Sequence, residues 1–577
     1  MSGVGRSPAF RARPLLGTEA AFGATLPPWL RRVYAARAVD PEDLDLDLGW
    51  LPPAAGLRGI DAALDLLSDA LRHQSRLLVV GDFDADGATS SALAVLGLRA
   101  LGFARVDFLV PNRFEYGYGL TPEIVALAQT RAPELIITVD NGISSIAGVA
   151  AARAAGIRVL VTDHHLPGPS LPAADAIVNP NQPGCGFPHK ALAGVGVMFY
   201  LLAALRGRLK AEGELTARGI PEPVMADWLD LVALGTVADV VPLDRLNRTL
   251  VHQGLRRIRA GRCRPGVLAL LEVAGRDHRH AVAADLGFAA GPRLNAAGRL
   301  DDMSLGIRCL LADDAAEART LAAQLDELNR DRRAIEARMQ SEAAEHVARL
   351  ALDEDLPWGL CLYDPGWHQG VVGLLAGRVR ERVHRPVIAF ADGSDGELKG
   401  SARSLPGLHI RDALEAVAAR NPGLIGRFGG HAAAAGLALP AANLAAFAAA
   451  FDALVREWLK PGDLELELLH DGELDAADLT LENALRLDAA GPWGQHFPEP
   501  CFHGEFRVQD LRVVGSVHLK LTLSPLADDR LLDAIAFNAV AAGAQPELPE
   551  RIRILYRLDV NRFRGAANLQ VLVDRIL

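Results

Sequence analysis

Four short, largely apolar runs at residues 77–80, 106–110, 135–139 and 159–162 are separated by stretches whose apolar residues recur at helical spacing. Those stretches cover 59–73 before the first run, then 89–101, 121–129 and 146–155 between the others. A run that is apolar on both faces cannot lie in a sheet with one face in water. The pattern therefore predicts a parallel sheet with helices on both sides, the α/β class. The chain of 577 residues is too long for one core, and the usual domain length of about 150 residues suggests roughly three or four domains.

Residues 1–55 are rich in Pro, Arg and Ala, break at Pro27-Pro28 and Pro52-Pro53, and read as an N-terminal extension packed on the first domain. That domain is α/β and spans 56–303. Residues 304–352 carry Ala, Glu, Arg and Leu with few breakers and amphipathic spacing over 315–329 and 332–350. They predict connecting helices rather than a coiled-coil arm. A smaller α/β domain follows over 353–460. From 461 to 577 polar and apolar residues alternate, at 464–468, 517–523 and 552–558, which predicts an antiparallel sheet closed into a small β-barrel. Only 5% of the chain is aromatic, so Ala, Leu and Val must build the cores. The five cysteines form no CxxC pair and read as reduced thiols, not a disulfide frame or zinc site. With no apolar run near 18 residues, and no signal-peptide core, the expectation is a soluble cytoplasmic protein. The net charge of −11 argues against a coat of basic residues for non-specific nucleic-acid binding. It leaves nucleic acid open as a substrate, because arginines can cluster locally.

The first apolar run ends in Gly81-Asp82-Phe83-Asp84-Ala85-Asp86-Gly87. Three alternating carboxylates at the end of a buried strand repel one another, at a cost that a cation removes. Other segments end alike: Asp140 after 135–139, Asp163-His164-His165 after 159–162, and Asp239 after the apolar, strand-like segment 231–238. Each alone has a plain reading. Asp140-Asn141-Gly142 suits a turn and Asp239 a helix cap. Together, at the carboxyl ends where open α/β sheets place their sites, they predict a metal centre. Hard oxygen donors dominate and thiolates are absent, which suits Mn²⁺ or Mg²⁺. One bridging carboxylate with terminal ligands on each side holds two ions about 3.5–4 Å apart, the spacing used in phosphoryl hydrolysis.

Asp84-x-Asp86, Asp140, Asp163-His164-His165 and Asp239 together resemble the DHH phosphoesterase superfamily. The wording of 81–87 and of Ala233-Leu-Gly-Thr-Val-Ala-Asp-Val-Val-Pro-Leu243 is similar to its RecJ branch, single-strand-specific 5′→3′ DNA exonucleases. So are Pro111-Asn112-Arg113, Gly291-Pro-Arg-Leu-Asn-Ala-Ala-Gly-Arg299, Lys399-Gly-Ser-Ala-Arg-Ser404 and Gly429-Gly-His-Ala-Ala-Ala-Ala-Gly436, in the expected order from about residue 50 onward. The resemblance implies a DHH domain, a long helix, a DHHA1 domain and an OB-type barrel. It implies that Asp84, Asp86, Asp140, His164 and Asp239 ligate metal, with Asp140 as the bridge. Asp82 is then either a direct ligand or a carboxylate behind one. His165 orients the scissile phosphate or protonates the leaving oxygen, and Phe83 points away from the aspartates.

The resemblance further implies an ion-activated water attacking phosphorus in line with the leaving 3′ oxygen, and release of mononucleotides during recombination and repair. Arg113, Arg293, Asn295 and Arg299 are expected at phosphates, although such arginines also form ordinary ion pairs. Ser401, Arg403, Ser404 and the Gly429-Gly430-His431 turn are expected to face the metal site across an interdomain cleft. Glycines admit phosphate close to the backbone and Arg pairs with it bidentately, though the glycine pair also suits a plain tight turn. In the barrel, His518, Lys520, Arg562 and Arg564 with Phe537, Tyr556 and Phe563 suit a single strand, or, for the aromatics, a core. Single-stranded DNA is the expected substrate, a single-strand-binding protein and a RecQ-type helicase the expected associates, and a monomer the expected state. Two other readings remain. A DHH phosphoesterase for short oligonucleotides or cyclic dinucleotides is disfavoured by the OB-like tail. A Cdc45-like non-catalytic DNA-binding scaffold is disfavoured by the intact acidic and histidine positions.

Overall fold

The computed structural model describes residues 9–111, 116, 119–351, 356–393, 396–540, 546–563 and 565–577. It divides into two compact units. One combines Arg13–Asn329 with His470–Leu577, and the other is built mainly of Arg330–Leu469 together with a short strand, β1 (Ala9–Ala12).

The larger unit holds a parallel five-stranded sheet of β2 (Leu77–Gly81), β3 (Val106–Leu109), β4 (Leu135–Val139), β5 (Arg158–Thr162) and β6 (Ala176–Val178). Its order is β3-β2-β4-β5-β6. Alternate residues of β2 enter different cores, Leu77 and Val79 on one face and Leu78 and Val80 on the other. The first face is covered by helices Ile60–His73, Ala85–Ala100 and Gly194–Ala211, the second by Pro122–Gln129 and Ile146–Ala154. The doubly covered parallel sheet expected from the apolar runs is present. Helix Ala85–Ala100 begins four residues before the expected start, inside the aspartate loop, because Asp84 caps its first amides. The segment before Asp239 is a helix, Leu229–Ala238, and not a strand. Residues 229–236 are all buried, so the apolar run carries no periodicity to separate helix from strand.

The smaller unit carries β7 (Leu360–Tyr363), β8 (Val387–Asp392), β9 (Glu397–Arg403), β10 (Arg427–Gly430) and β11 (Ala434–Pro440). Their order is β10-β11-β9-β8-β7, with only β7 and β8 parallel. β1 pairs with β12 (Glu467–His470). The amphipathic stretches at 315–329 and 332–350 are one continuous helix, Ala315–Ala351.

The tail closes into a barrel of β13 (Phe502–Val514), β14 (His518–Pro525), β15 (Leu532–Ala536), β16 (Arg551–Phe563) and β17 (Ala566–Ile576), ordered β13-β14-β15-β17-β16. Its core, including Phe502, Phe506 and Tyr556, is continuous with that of the parallel-sheet domain. Residues 13–57 help join them: Trp29 meets Phe502 edge-on at 6.2 Å, and Arg37 forms a buried bidentate pair with Asp471 at 2.7 and 3.0 Å.

Candidate metal centre

The chain leaves β2 for β3 on one side and takes up β4 on the other, so the β2/β4 boundary is the switch point of the sheet. Asp82 follows β2 and Asp140 follows β4. Asp84 caps helix Ala85–Ala100, its Oδ1 accepting from the amides of Asp86 and Gly87, each at 3.0 Å; such a cap is worth about 1 kcal/mol. Asp86 meets the start of helix Gly194–Ala211, whose Gly194 and Val195 amides donate to its two oxygens at 2.6 and 3.0 Å. A helix N-terminus favours the charged carboxylate there.

Asp140 sits at φ +60°, a left-handed conformation that costs about 1–3 kcal/mol in a non-glycine residue. Asn141 holds the turn by donating from Nδ2 to the carbonyls of Val80, at 3.1 Å, and Val139, at 2.9 Å. Gly142 follows at φ +112°, where a Cβ would lie 2.4 Å from Thr138 Oγ1.

Asp163 is an anchor. Its Oδ1 accepts from the amides of His164 (2.7 Å) and His165 (3.1 Å) and from His165 Nδ1 (2.8 Å), while Oδ2 accepts from the Ile143 amide (2.9 Å). Burial alone would raise this carboxyl, but the His165 bond and the neighbouring imidazoles and amide hold it below the usual range. His164 Nε2 lies 3.1 Å from Asp140 Oδ1, 3.5 Å from Asp239 Oδ2 and 4.0 Å from Asp86 Oδ2.

The donors form three overlapping groups, each with ligand atoms within 4.8 Å of one another: Asp82, Asp84 and Asp140; Asp140, His164 and His165; and Asp86, His164 and Asp239. Asp239 Oδ2 is a buried atom that accepts no hydrogen bond among the described residues. Burial first, and then mutual repulsion, pushes Asp86 up to about 7 and raises Asp140 and Asp239 well above the carboxylate range. Carboxylates so placed ionise together only with a cation among them. The oxygen-rich donor set, with one imidazole between its acidic groups, fits Mn²⁺ or Mg²⁺, and the sharing of Asp140 between groups fits two adjacent ions.

All seven residues expected at the centre, Asp82, Asp84, Asp86, Asp140, His164, His165 and Asp239, converge on it. Phe83 is half-buried against the core. Asn295 Oδ1 accepts from the Ala85 amide at 2.8 Å, so it braces the aspartate loop. Arg293 departs from the expectation of a phosphate contact: it is buried, donates to the Ala289 carbonyl at 2.7 Å and pairs with Asp326 at 2.7 Å. Arg299 is half-exposed in the last turn of helix Gly291–Leu300, and Arg113 and Arg564 lie outside the described residues.

In the smaller unit Ser401 and Arg403 lie on β9, where a Cβ at Gly373 would meet Arg403 Nη2 at 2.8 Å and Ser401 Oγ at 3.3 Å. Among the described residues Arg403 has no carboxylate partner, and burial and then Arg380 lower its pKa. Ser404 departs from the expectation, since its buried hydroxyl is spent on the Leu408 carbonyl at 2.7 Å. Gly429 and Gly430 end β10, Gly430 at φ +142°, and the His431 amide closes the hairpin onto Ala434 at 2.8 Å. In the barrel Lys520 pairs with Asp533 at 2.6 Å and Tyr556 is fully buried core. Phe537 is 59% exposed, its ring 5.3 Å from that of His518. Gly194 positions the site without having been expected to, and its only trace is the Gly194-x-Gly196 pair in an apolar run; Asp163 and Asn141, read in sequence as part of the Asp-His-His segment and of a turn, act as supports of the site.

The sheet, its switch point and the donor set define a metal-dependent phosphoesterase of the DHH class, and the family comparisons agree. The model for the DHH family N-terminal domain matches residues 76–236, the DHHA1 domain 357–457 and the RecJ OB domain 470–575. The single-stranded-DNA-specific exonuclease RecJ of Escherichia coli is 55% identical over 96% of this chain and 96% of its own. Crystal structures of Thermus thermophilus RecJ superpose with TM-scores of 0.78, in complex with Mn²⁺, and 0.72, in complex with Mg²⁺. They share 32% and 31% identity and cover 99% and 98% of this chain and 79% and 78% of theirs. The chain belongs to the RecJ family.

Proposed function

We propose that the chain is a metal-dependent exonuclease that degrades single-stranded DNA from its 5′ end to mononucleotides. The observation that carries this reading is the overlap of three Asp/His donor groups on Asp140 and His164 at the switch point. Asp84, Asp86, Asp140, His164 and Asp239 hold the cations, with Asp82 beside Asp84 and Asp140. Divalent ions, when bound, supply the charge that activates water and offsets charge on the phosphoryl oxygens. Asp163 fixes His165 by its Nδ1, which leaves Nε2 as the atom that orients the scissile phosphate or passes a proton to the leaving 3′ oxygen. Arg299, Ser401, Arg403, Gly429, Gly430 and His431 bind the strand. The half-buried Arg403 guanidinium, with a second arginine near it and, among the described residues, no carboxylate partner, supports an anion there.

The same reading makes the protein a cytoplasmic monomer serving recombination and repair, with a single-strand-binding protein and a RecQ-type helicase as associates, as its family resemblance implies. Among the described residues no helix is long and apolar enough to cross a membrane. The test is incubation with Mn²⁺ and 5′-labelled single strands, 3′-labelled single strands, duplex and dinucleotides. Progressive release of mononucleotides from the 5′ end of single strands is expected. Cleavage of dinucleotides alone, or inertness, refutes the reading.

A further inference from the structure

The chain between β6 and helix Gly194–Ala211 runs from one side of the metal centre to the other. β6 lies beside β5, and its Val178 carbonyl accepts from the Asp163 amide at 3.2 Å. The next residue, Asn179, is fully buried. Its Nδ2 donates to the His165 carbonyl at 2.9 Å, and its Oδ1 accepts from the Asn181 amide at 2.7 Å. Asn181 Nδ2 in turn donates to the His164 carbonyl at 2.6 Å and to the Lys190 carbonyl at 3.1 Å. Two asparagines thus hold both carbonyls of the histidine pair.

The far end of the same segment holds the acids. Gly194 and Val195 present their amides to Asp86. The Ala191 carbonyl accepts from Asn247 Nδ2 at 2.7 Å, and that nitrogen also donates to the Pro242 carbonyl at 2.8 Å. Asn247 is buried in helix Arg245–Arg259, and Pro242 lies three residues beyond Asp239. Lys190 closes the segment on itself, its Nζ donating to the carbonyls of Pro180 at 2.8 Å and Cys185 at 2.9 Å. Residues 179–194 therefore form a strap bonded to the segments that carry His164, Asp86 and Asp239. Those three residues make up one of the three donor groups. The group of Asp82, Asp84 and Asp140 has other supports, the helix cap made by Asp84 and the turn held by Asn141.

We propose that Asn179, Asn181 and Asn247 are positioning residues for a single ion subsite, that of Asp86, His164 and Asp239. The strap sets the affinity of that subsite separately from the affinity of the subsite at Asp82, Asp84 and Asp140. His164 comes from a different segment than either acid, with Nε2 3.5 Å from Asp239 Oδ2 and 4.0 Å from Asp86 Oδ2. A loosened strap lets these donors part. The asparagines bond only to backbone and carry no charge, so they add nothing to the crowding of the carboxylates and do not compete with a cation for them. The proposal rests on the two-ion reading of the centre.

The experiment titrates chelator-treated wild type, Asn181→Ala and Gln182→Ala with Mn²⁺ by calorimetry and follows the EPR spectrum in parallel. Gln182 is the control. It lies in the same turn and its Nε2 also makes two bonds, to the carbonyls of Arg58 at 2.8 Å and Ile177 at 3.0 Å, neither a donor of the centre. The wild type is expected to take up two ions and to show the signal of a coupled pair. Asn181→Ala should bind one ion within about twofold of the wild type and the other about 10- to 100-fold more weakly. It should also lose the coupled signal at the Mn²⁺ concentration that saturates the wild type. Gln182→Ala should match the wild type in both, and Asn247→Ala, which frees the other end of the strap, should weaken the same ion as Asn181→Ala. Asn181→Asp keeps the shape and exchanges donor for acceptor, and it reads the same way where truncation unfolds the loop. Equal weakening of both ions, unchanged binding in Asn181→Ala, or the same loss in Gln182→Ala would overturn the proposal. A wild type that takes up a single ion refutes the two-ion reading and the proposal with it, whereas two ions bound without cleavage of DNA refute only the exonuclease reading.

Discussion

Gly194→Ala is the sharpest perturbation of the metal centre, because it changes no ligand and no charge. Gly194 begins helix Gly194–Ala211, and its backbone does not adopt a positive φ, so alanine is conformationally allowed. The added Cβ, however, would lie 2.7 Å from Asp140 Cβ and 3.0 Å from both Asp140 Cα and Oδ1. Ordinary contact begins at 3.4 Å, so about 0.7 Å must be relieved between two backbone segments. Neither can yield cheaply. The Gly194 amide is bound to Asp86 at 2.6 Å, and Asp140 is held in a left-handed turn by Asn141 and Gly142.

Overpacking of this kind costs about 1–3 kcal/mol, and a misplacement approaching 1 Å can cost on the order of 100-fold in rate. The expected outcome is a folded protein with kcat reduced about 10- to 100-fold and a raised Mn²⁺ midpoint, since both ends of the clash carry donors. The assay is degradation of a 5′-labelled single strand across a Mn²⁺ titration. Gly207→Ala is the control: it lies on the same helix with nothing within 4 Å of its would-be Cβ, and should be neutral or stabilise by about 0.5–1 kcal/mol. If Gly194→Ala matches Gly207→Ala in kcat and Mn²⁺ midpoint within about twofold, the packing between Asp140 and Gly194 does not set the site.

Asp163→Asn puts an amide among the four donors that now share its carboxylate; kcat should fall about 10- to 100-fold, and an unchanged kcat would show that His165 needs no anchor. Arg293→Ala removes a buried guanidinium bonded to Asp326 and to the Ala289 carbonyl and should destabilise by about 1.5–3 kcal/mol in denaturant titration; a loss of strand affinity with no loss of stability would return Arg293 to the phosphates. Adding Mn²⁺ at 100 times its dissociation constant to chelator-treated protein should stabilise the fold by about 2.7 kcal/mol, and an unmoved unfolding midpoint would mean that the carboxylates hold no ion. His470 is depressed to about 4, by burial and then by His503. An unfolded His470 binds a proton below about 6.5 while the folded one does not until about 4, so its share of stability is present at neutral pH and is lost as pH falls through that window. His470→Gln should flatten the dependence of the melting temperature between those limits, and an unchanged slope would reject the assignment.

The parallel sheet and the convergence of the seven Asp and His residues were legible because each rests on local chemistry. β2 and β4 are buried along their whole length, and capping or turn formation accounts for only part of the charge at their ends. Asp239 was found by its charge although its element was misread, since a helix buried on all sides loses the period that would mark it. What stayed hidden depends on partners far away in sequence. Arg293 belongs to a motif that reads as phosphate-binding, and only the fold brings Asp326 to its guanidinium. Lys520 reads as a cation for a strand until Asp533 pairs with it from the neighbouring strand β15, and Tyr556 as a stacking ring until the barrel closes around it. Gly194 carries no side chain to betray a role, and its importance is the space it leaves.

The hidden residues explain how the legible ones can coexist. Asp86, Asp140 and the half-buried Asp239 are crowded together, each raised first by burial and then by neighbouring carboxylates. Without support such a cluster would be relieved by protonation or by the loops moving apart. Here the capped helix holds Asp84, the amides of a second helix hold Asp86, and a strained turn tied to both strands holds Asp140. Each support is backbone or a neutral side chain, so none competes with a cation for the negative charge. Asp163 follows the opposite rule. It accepts four hydrogen bonds, its pKa is lowered, and it spends its charge on His165. The crowded aspartates Asp86, Asp140 and Asp239 are thus raised, while Asp163, bonded to His165 and three amides, is lowered.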